Sequence, residues 1–163
     1  MGEASEAEFI ARAQRLDFPV AKLWGESDPY DNLVVFGRTF WRVQVKCAGV
    51  QLKGRYYEVR ARTQWTRYTR ENIDFLGAHC VPENIWYIIP IEAFEGKQTI
   101  ALSPGGKYEK YREAWCLLTC KPKARGWKDI PVKCRCRELP ARCAVCPNRD
   151  NSPDAKSTWE RTR

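Results

Sequence analysis

The sequence has no apolar run that approaches the roughly 20 residues a membrane helix needs. Its first residues, Met1 to Glu8, are polar and acidic, without the basic and apolar stretches of a secretory leader. We therefore expect a cytoplasmic protein with no membrane segment, whose cysteines do not form a disulfide framework. No internal repeat is visible, and 163 residues suit one domain with a modest appendage.

The positive charge is distributed unevenly. Residues 119–163 contain 12 Lys+Arg and 5 Asp+Glu, so the tail carries nearly all of the net charge of +8. Within the first 118 residues the basic side chains concentrate in one stretch, where Glu58 alone opposes them. Such a stretch fits a surface that faces phosphates, or else a solvated strand-and-loop face. Its members are Lys46, Lys53, Arg55, Arg60, Arg62, Arg67 and Arg70.

Hydrophobic periodicity predicts an α/β or α+β core with a central mixed sheet flanked by helices. Helices are expected at Glu3–Leu16 and Glu109–Leu118, since apolar residues recur there at helical spacing. Alternating or apolar runs predict the strands. These are Leu33–Phe36, Thr39–Cys47, Tyr56–Ala61, Phe75–Val81, Ile85–Ile89 and Thr99–Leu102. Gly37-Arg38 is expected to form the tight turn of a hairpin.

The apolar pattern ends at Leu118, and prolines and basic residues become frequent after it. This change predicts a domain over residues 1–118 and a basic, disordered tail over residues 119–163. The tail contains Cys134-x-Cys136 and Cys143-x-x-Cys146, four thiols that would suit a tetrahedral zinc ion. Because the first spacing is a poor zinc knuckle, we expect the tail to bind phosphates non-specifically rather than to bind Zn²⁺.

One group of residues suits phosphodiester hydrolysis. Gln44 and Lys46 stand two apart on a predicted strand, so their side chains leave the same face, while Val43 and Val45 point into the core. Asp31 precedes the paired strand, and Glu6 lies on the inward side of the first helix. Oxygen ligands beside a lysine can bind a hard divalent cation and stabilise a reacting phosphate. Each residue alone has an ordinary explanation, such as a turn cap, a strand lysine or a surface glutamate.

In this order, the group resembles the PD-(D/E)XK nuclease superfamily. It is most similar to the branch in which glutamine replaces the acid of the third motif, which includes intron-encoded homing endonucleases. Further resembling segments are Lys22–Gly25, Arg42–Lys46, Asn72–Leu76, Trp86–Pro90 and Lys107–Trp115, so that the resemblance covers about residues 2–118. It implies a sheet flanked by helices, cleavage of double-stranded DNA with Mg²⁺ or Mn²⁺, and often a homo-oligomer.

The resemblance also implies roles for individual residues. Asp31 matches the aspartate of the second motif, Gln44 and Lys46 match the third, and Glu6 matches the helix glutamate, with Glu3 as the fallback. Glu6, Asp31, the Gln44 side chain and the Val45 carbonyl would bind the metal ion, with Lys46 beside the attacking water. Since the superfamily has Asp or Glu where Gln44 stands, the site has one negative charge fewer.

Two alternatives stay open, a Holliday-junction-resolvase-like nuclease and a non-catalytic DNA-binding module that keeps the fold. His79, the single histidine, fits a packed core residue better than a general base. Aromatic side chains interleave with the arginines between residues 56 and 68, which suits either base stacking or sheet packing. They are Tyr56, Tyr57, Trp65 and Tyr68.

Overall fold

The computed structural model describes residues 2–25 and 28–119. The described chain contains one α-helix and eight strands in two sheets. The elements are α1 (Gly2–Arg15), β1 (Val20–Lys22), β2 (Asn32–Phe36), β3 (Thr39–Ala48), β4 (Gln51–Leu52), β5 (Tyr56–Arg60), β6 (Phe75–Cys80), β7 (Ile85–Pro90) and β8 (Thr99–Leu102). The predicted mixed sheet in an α+β fold is thus confirmed, although α1 is its only α-helix in the described ranges.

The larger sheet has five strands in the order β1-β2-β3-β6-β7. Only β3 and β6 run parallel, and the other neighbours are antiparallel. The predicted hairpin of β2 and β3 turns at Gly37, whose φ of +59° suits a residue without a Cβ. This hairpin fixes the register Asn32↔Val43, which determines where the chain just before β2 meets the middle of β3.

Helix α1 packs against one face of this sheet. Phe9 is fully buried, and its ring contacts those of Trp86 and Trp115 at centroid distances of 5.5 and 5.3 Å. Gly77 permits this approach, because a Cβ there would lie 3.1 Å from the Phe9 ring. His79 is buried and stacked on Trp86 at 4.2 Å, as expected for a core histidine. The helix is therefore held tightly with its N-terminal half near β3.

The smaller sheet has the order β4-β5-β8, and β5 contacts β3. The sequence predicted the strand at β5 but not its place in a separate sheet. Its buried side chains alternate, with Tyr57 and Val59 facing the core. By the same alternation Glu58 and Arg60 share the other face of the strand. One wall of a cleft beside β3 is formed by this face.

The predicted helix over Glu109–Leu118 is wrong. The structure instead has two short 3₁₀ segments, Glu109–Tyr111 and Trp115–Thr119. Between them Glu113 adopts a φ of +49°, which a helix does not allow. Its carboxylate accepts hydrogen bonds from the Trp86 amide at 2.8 Å and the Trp115 indole at 3.0 Å. The contact with Trp86, which is 27 residues away in sequence, therefore overrides the local helical pattern.

None of the helices in residues 2–25 and 28–119 is long and apolar enough to cross a membrane. Cys47 and Cys80 are free thiols, and Cys80 is buried, as is Cys116. The four tail cysteines and all of the predicted tail (119–163) except Thr119 lie outside the described residues. Thr119, the last described residue, is buried, and the boundary expected after Leu118 stays a prediction.

Candidate active site

Asp31 lies directly before β2 and opposite the middle of β3. Its amide donates a hydrogen bond to the Val43 carbonyl at 3.1 Å, which extends the ladder beyond the strand. Its carboxylate oxygen Oδ2 then accepts the amide of Val45 at 2.8 Å. The Asp31 side chain thus accepts the hydrogen bond of the Val45 amide in place of a backbone carbonyl. It is fixed against β3 and does not cap an exposed turn.

Gln44 is buried, with 6% of its surface exposed. Its side-chain amide nitrogen donates to Asp31 Oδ2 at 2.5 Å and to the Val45 carbonyl at 3.1 Å. The amide group therefore lies between two oxygens that the sequence predicted as metal ligands. The sequence analysis predicted that the Gln44 amide oxygen would lie beside these two ligands, whereas the amide nitrogen lies there in the structure. A half-turn of the amide about its last side-chain bond exchanges the two atoms.

A cleft of about 360 Å³ opens beside this group. The predicted residues from α1 and the large sheet line it together with residues of β5. Its lining is Gly2, Glu6, Asp31, Gln44, Val45, Lys46, Cys47, Glu58 and Arg60. All the residues that the sequence predicted for catalysis and metal binding therefore face one space.

Glu6 reaches the cleft from the first turns of α1. Its carboxylate pairs with the Lys22 ammonium at 3.1 Å, and 22% of its side chain is exposed. Glu3, the fallback, is exposed and does not line the cleft. The sequence did not predict the pairing with Lys22, which follows from β1 lying beside β2 in the sheet.

Lys46 is half-buried and makes no ion pair within the described part of the chain. Its charge nevertheless acts on Asp31. Burial raises the pKa of Asp31 above its ordinary value, and the nearby Glu6 carboxylate adds to the increase. The Val45 amide, the Gln44 amide and the Lys46 charge oppose this increase. The site thus holds a carboxylate that is partly removed from water, which an added cation would stabilise.

Glu58 and Arg60 form the wall contributed by β5. Both are exposed, and neither makes an ion pair among residues 2–25 and 28–119. Arg60 was predicted to bind DNA, whereas Glu58 was predicted only as an opposing charge. Alternation along β5 would have placed Glu58 on the side of Arg60, but only the packing of β5 on β3 brings it to the cleft.

The other predicted basic residues differ in their surroundings. Lys53 and Arg55 are exposed at the turn between β4 and β5. Arg62 and Arg67 pair across a turn through a single antiparallel bridge, and Arg67 donates to the Gly96 carbonyl at 3.1 Å. Arg70 forms an ion pair with Glu95 at 3.0 Å, so its charge is partly neutralised. The basic surface is therefore strongest near β5 and the turn that follows it.

The donors in the cleft suit a hard cation with oxygen ligands, such as Mg²⁺ or Mn²⁺. The carboxylates of Glu6, Asp31 and Glu58 line the same cleft, together with Val45 and the side-chain amide of Gln44. No group of three or more His, Cys, Asp or Glu side chains that could hold a metal ion occurs in the described ranges.

A mixed sheet thus brings an aspartate, a Gln-x-Lys strand and a helix glutamate to one cleft, the arrangement expected from the resemblance to PD-(D/E)XK nucleases. The chain belongs to the PD-(D/E)XK endonuclease family, whose model matches residues 1–115. It is also similar to the solved structure of a bacterial homing endonuclease, I-Ssp6803I, with 25% identity and a TM-score of 0.63. That match covers 72% of this chain and 88% of the other. No curated protein matches the chain in sequence.

Proposed function

We propose that the protein is a divalent-metal-dependent endonuclease that hydrolyses phosphodiester bonds in double-stranded DNA. The observation that carries this proposal is the convergence of Asp31, Gln44, Val45 and Lys46 at one cleft, where Asp31 Oδ2 is bound by its neighbours at 2.5 and 2.8 Å. Family membership and the likeness to a homing endonuclease support the same reaction class.

The residues in the cleft have different roles in this reaction, which follow from the chemistry of their side chains. Asp31, Glu6, the Val45 carbonyl and the Gln44 amide oxygen would hold Mg²⁺ or Mn²⁺, which supplies Lewis-acid polarisation of the phosphate and a more acidic bound water. Lys46 orients the attacking water and offsets the negative charge that develops on the phosphate. Gln44 must turn its amide to present oxygen, which releases its nitrogen from Asp31.

The DNA would lie along the basic side of the cleft. Arg60 lines the cleft itself, and Lys53, Arg55, Arg62 and Arg67 extend the positive surface on either side of it along the chain. Phosphate contacts of this kind fix the register of a protein on a duplex. The basic tail adds non-specific affinity. As the family resemblance implies, we further propose a homo-oligomer that positions two or more clefts on its target.

The decisive experiment incubates the full chain with supercoiled plasmid and Mg²⁺ or Mn²⁺, with and without chelator. Cutting should require the metal ion. Lys46→Ala should abolish cutting while nearly preserving DNA affinity, because the other cations on this surface remain. Lys107→Ala, which removes an exposed lysine outside the cleft, is the matched control. Equal cutting rates for wild-type protein and Lys46→Ala would refute the assignment.

A second candidate, a non-catalytic DNA-binding module, is favoured by one observation. The Gln44 nitrogen already bridges Asp31 and Val45, so the free protein satisfies these groups without any metal ion. This candidate predicts duplex binding that chelator does not alter, and plasmid that stays intact at any concentration of Mg²⁺ or Mn²⁺. Calorimetric titration with the metal ion separates the two, since the module would bind none at the cleft.

A further inference from the structure

Trp65 is 84% exposed at the tip of a tightly bonded turn. The Thr63 amide donates to the Thr66 carbonyl at 2.8 Å. The Thr63 hydroxyl oxygen accepts the amides of Trp65 at 3.2 Å and Thr66 at 2.9 Å. Such a turn closes through the threonine alone and does not require an aromatic residue at its tip.

Both ends of this turn are anchored in the core. Ala61 is fully buried, and its amide donates to the Gln98 carbonyl at 2.8 Å. Tyr68, on the returning segment, is 1% exposed. The turn is therefore a short, firmly supported projection that holds the Trp65 indole in water. Since burying a large aromatic side chain would stabilise the fold, its exposure here has no benefit for folding.

The turn continues directly from the wall of the cleft. Arg60 ends β5 and lines the cleft, and Trp65 follows five residues later. Five extended residues span at most about 17 Å, which equals about five base-pair steps along a duplex. A duplex that has a phosphate at Lys46 and Arg60 and continues along the arginines of this turn would therefore pass within reach of the indole.

The charges around the turn suit the same partner. Arg62 and Arg67 flank its base, and neither makes an ion pair within the described part of the chain. An indole between two cationic side chains offers a flat face for stacking and two positions for phosphates. Proteins that bind duplex DNA combine cationic side chains on phosphates with apolar side chains that enter a groove or wedge between base steps.

We infer that Trp65 contacts the bases or deoxyriboses of bound DNA, within about five base pairs of the bond that is cut. This inference rests on the proposed function, because the cleft sets the path of the duplex. Trp65 is then an affinity- and specificity-determining residue, whereas Lys46 acts on the reacting phosphate. Its contact is apolar, so it should respond to salt differently from the contacts made by the arginines.

The test measures the affinity of the full chain for a short labelled duplex, in chelator so that no cutting occurs, over a series of salt concentrations. Trp65→Ala should weaken binding by about tenfold or more, while Trp65→Phe retains most of the affinity. The dependence of log Kd on log salt should stay unchanged for both, because no charge is removed. Arg62→Ala should instead reduce that slope by about 0.9. Phe40→Ala, which removes another exposed aromatic, is the control and should bind as wild type.

A Trp65→Ala protein that melts normally and binds within twofold of wild type would overturn the inference. Dissociation of a wild-type oligomer in Trp65→Ala, with DNA affinity unchanged, would assign the indole to a protein interface and overturn it as well. The proposed function fails separately. If the protein binds duplex through Trp65 but never cuts plasmid, the Trp65 contact is supported and the proposed nuclease activity is refuted.

Discussion

Replacing Gln44 by glutamate tests the site most directly, because the change keeps the shape and alters only the donor. In the free protein the Gln44 nitrogen donates to Asp31 Oδ2 at 2.5 Å and to the Val45 carbonyl at 3.1 Å. In Gln44→Glu both hydrogen bonds are lost, and a second carboxylate faces Asp31. The metal-free variant should therefore unfold more easily than wild type, although its side chain matches that of a typical third-motif acid.

The magnitude follows from these contacts. Removing a hydrogen bond to a charged group costs about 1.5–3 kcal/mol. The facing carboxylates repel each other, but the pair can take up a proton, which limits the added penalty. We expect a total loss of about 2–4 kcal/mol of unfolding free energy at neutral pH. For a domain of this size the melting temperature should fall by roughly 10–20 °C.

The pH dependence gives the sign of the effect. Repulsion raises the pKa of the carboxyl pair in the folded variant above its value in the unfolded chain. The destabilisation is therefore present above the raised pKa and disappears as the pH falls through it, because a shared proton restores a donor between the oxygens. The melting curves of Gln44→Glu and wild type should converge towards about pH 4, near the ordinary pKa of carboxyl groups.

Metal ions should reverse the effect. Mg²⁺ or Mn²⁺ should stabilise Gln44→Glu more than wild type, since the variant offers an additional charged ligand. Thermal melts with and without the ion, together with calorimetric titration, measure both quantities. Gln44→Leu is the matched control, because it loses the same hydrogen bonds without adding charge and should gain much less stability from the ion than Gln44→Glu. Identical melting temperatures for Gln44→Glu and wild type at neutral and acid pH would refute the reasoning.

Three other perturbations have definite expected outcomes. Asp31→Asn should weaken metal binding in calorimetry. Because burial raises the pKa of Asp31, ionisation of this carboxyl destabilises the folded wild-type protein. In denaturant titrations the stability of Asp31→Asn relative to wild type should therefore grow as the pH rises through that pKa. Gly77→Ala should destabilise the fold by about 1–3 kcal/mol in urea titrations, because its Cβ would press on Phe9. Truncation after Thr119 should leave cooperative melting intact and flatten the salt dependence of DNA binding, because it removes a net charge of +7. A truncated chain that aggregates would contradict the boundary.

Local patterns predicted the parts of the fold that local forces determine. Alternation and a glycine at φ +59° suffice for the hairpin of β2 and β3, and the apolar runs suffice for β6 and β7. The same patterns failed at Glu113, where hydrogen bonds to Trp86 and Trp115 hold a left-handed backbone. The place of β5 in a separate sheet could not be predicted either, because the pattern of a strand does not specify which strands it pairs with.

At the site, the sequence predicted which residues meet but not how they meet. The spacing of Gln44 and Lys46 and the hairpin register bring Asp31 to the middle of β3. Other residues of the site come from distant segments. Lys22 forms an ion pair with Glu6, and β5 contributes Glu58 to the lining of the cleft. The direction of the Gln44 amide was also beyond a sequence argument, because it depends on which oxygens lie nearest in the folded chain.

The direction of that amide explains why glutamine is compatible with this site. Asp31 is partly buried beside Glu6, and burial already raises its pKa, so another carboxylate would make the metal-free protein less stable. An amide nitrogen instead supplies a donor to Asp31 and to the Val45 carbonyl while no cation is present. When a cation binds, the same side chain can turn its oxygen inward, although this sacrifices both hydrogen bonds and contributes no charge. Under the proposed function, Gln44 would therefore stabilise the free site at the expense of metal affinity, which predicts that cleavage by the wild-type protein needs higher Mg²⁺ concentrations than cleavage by an active Gln44→Glu variant.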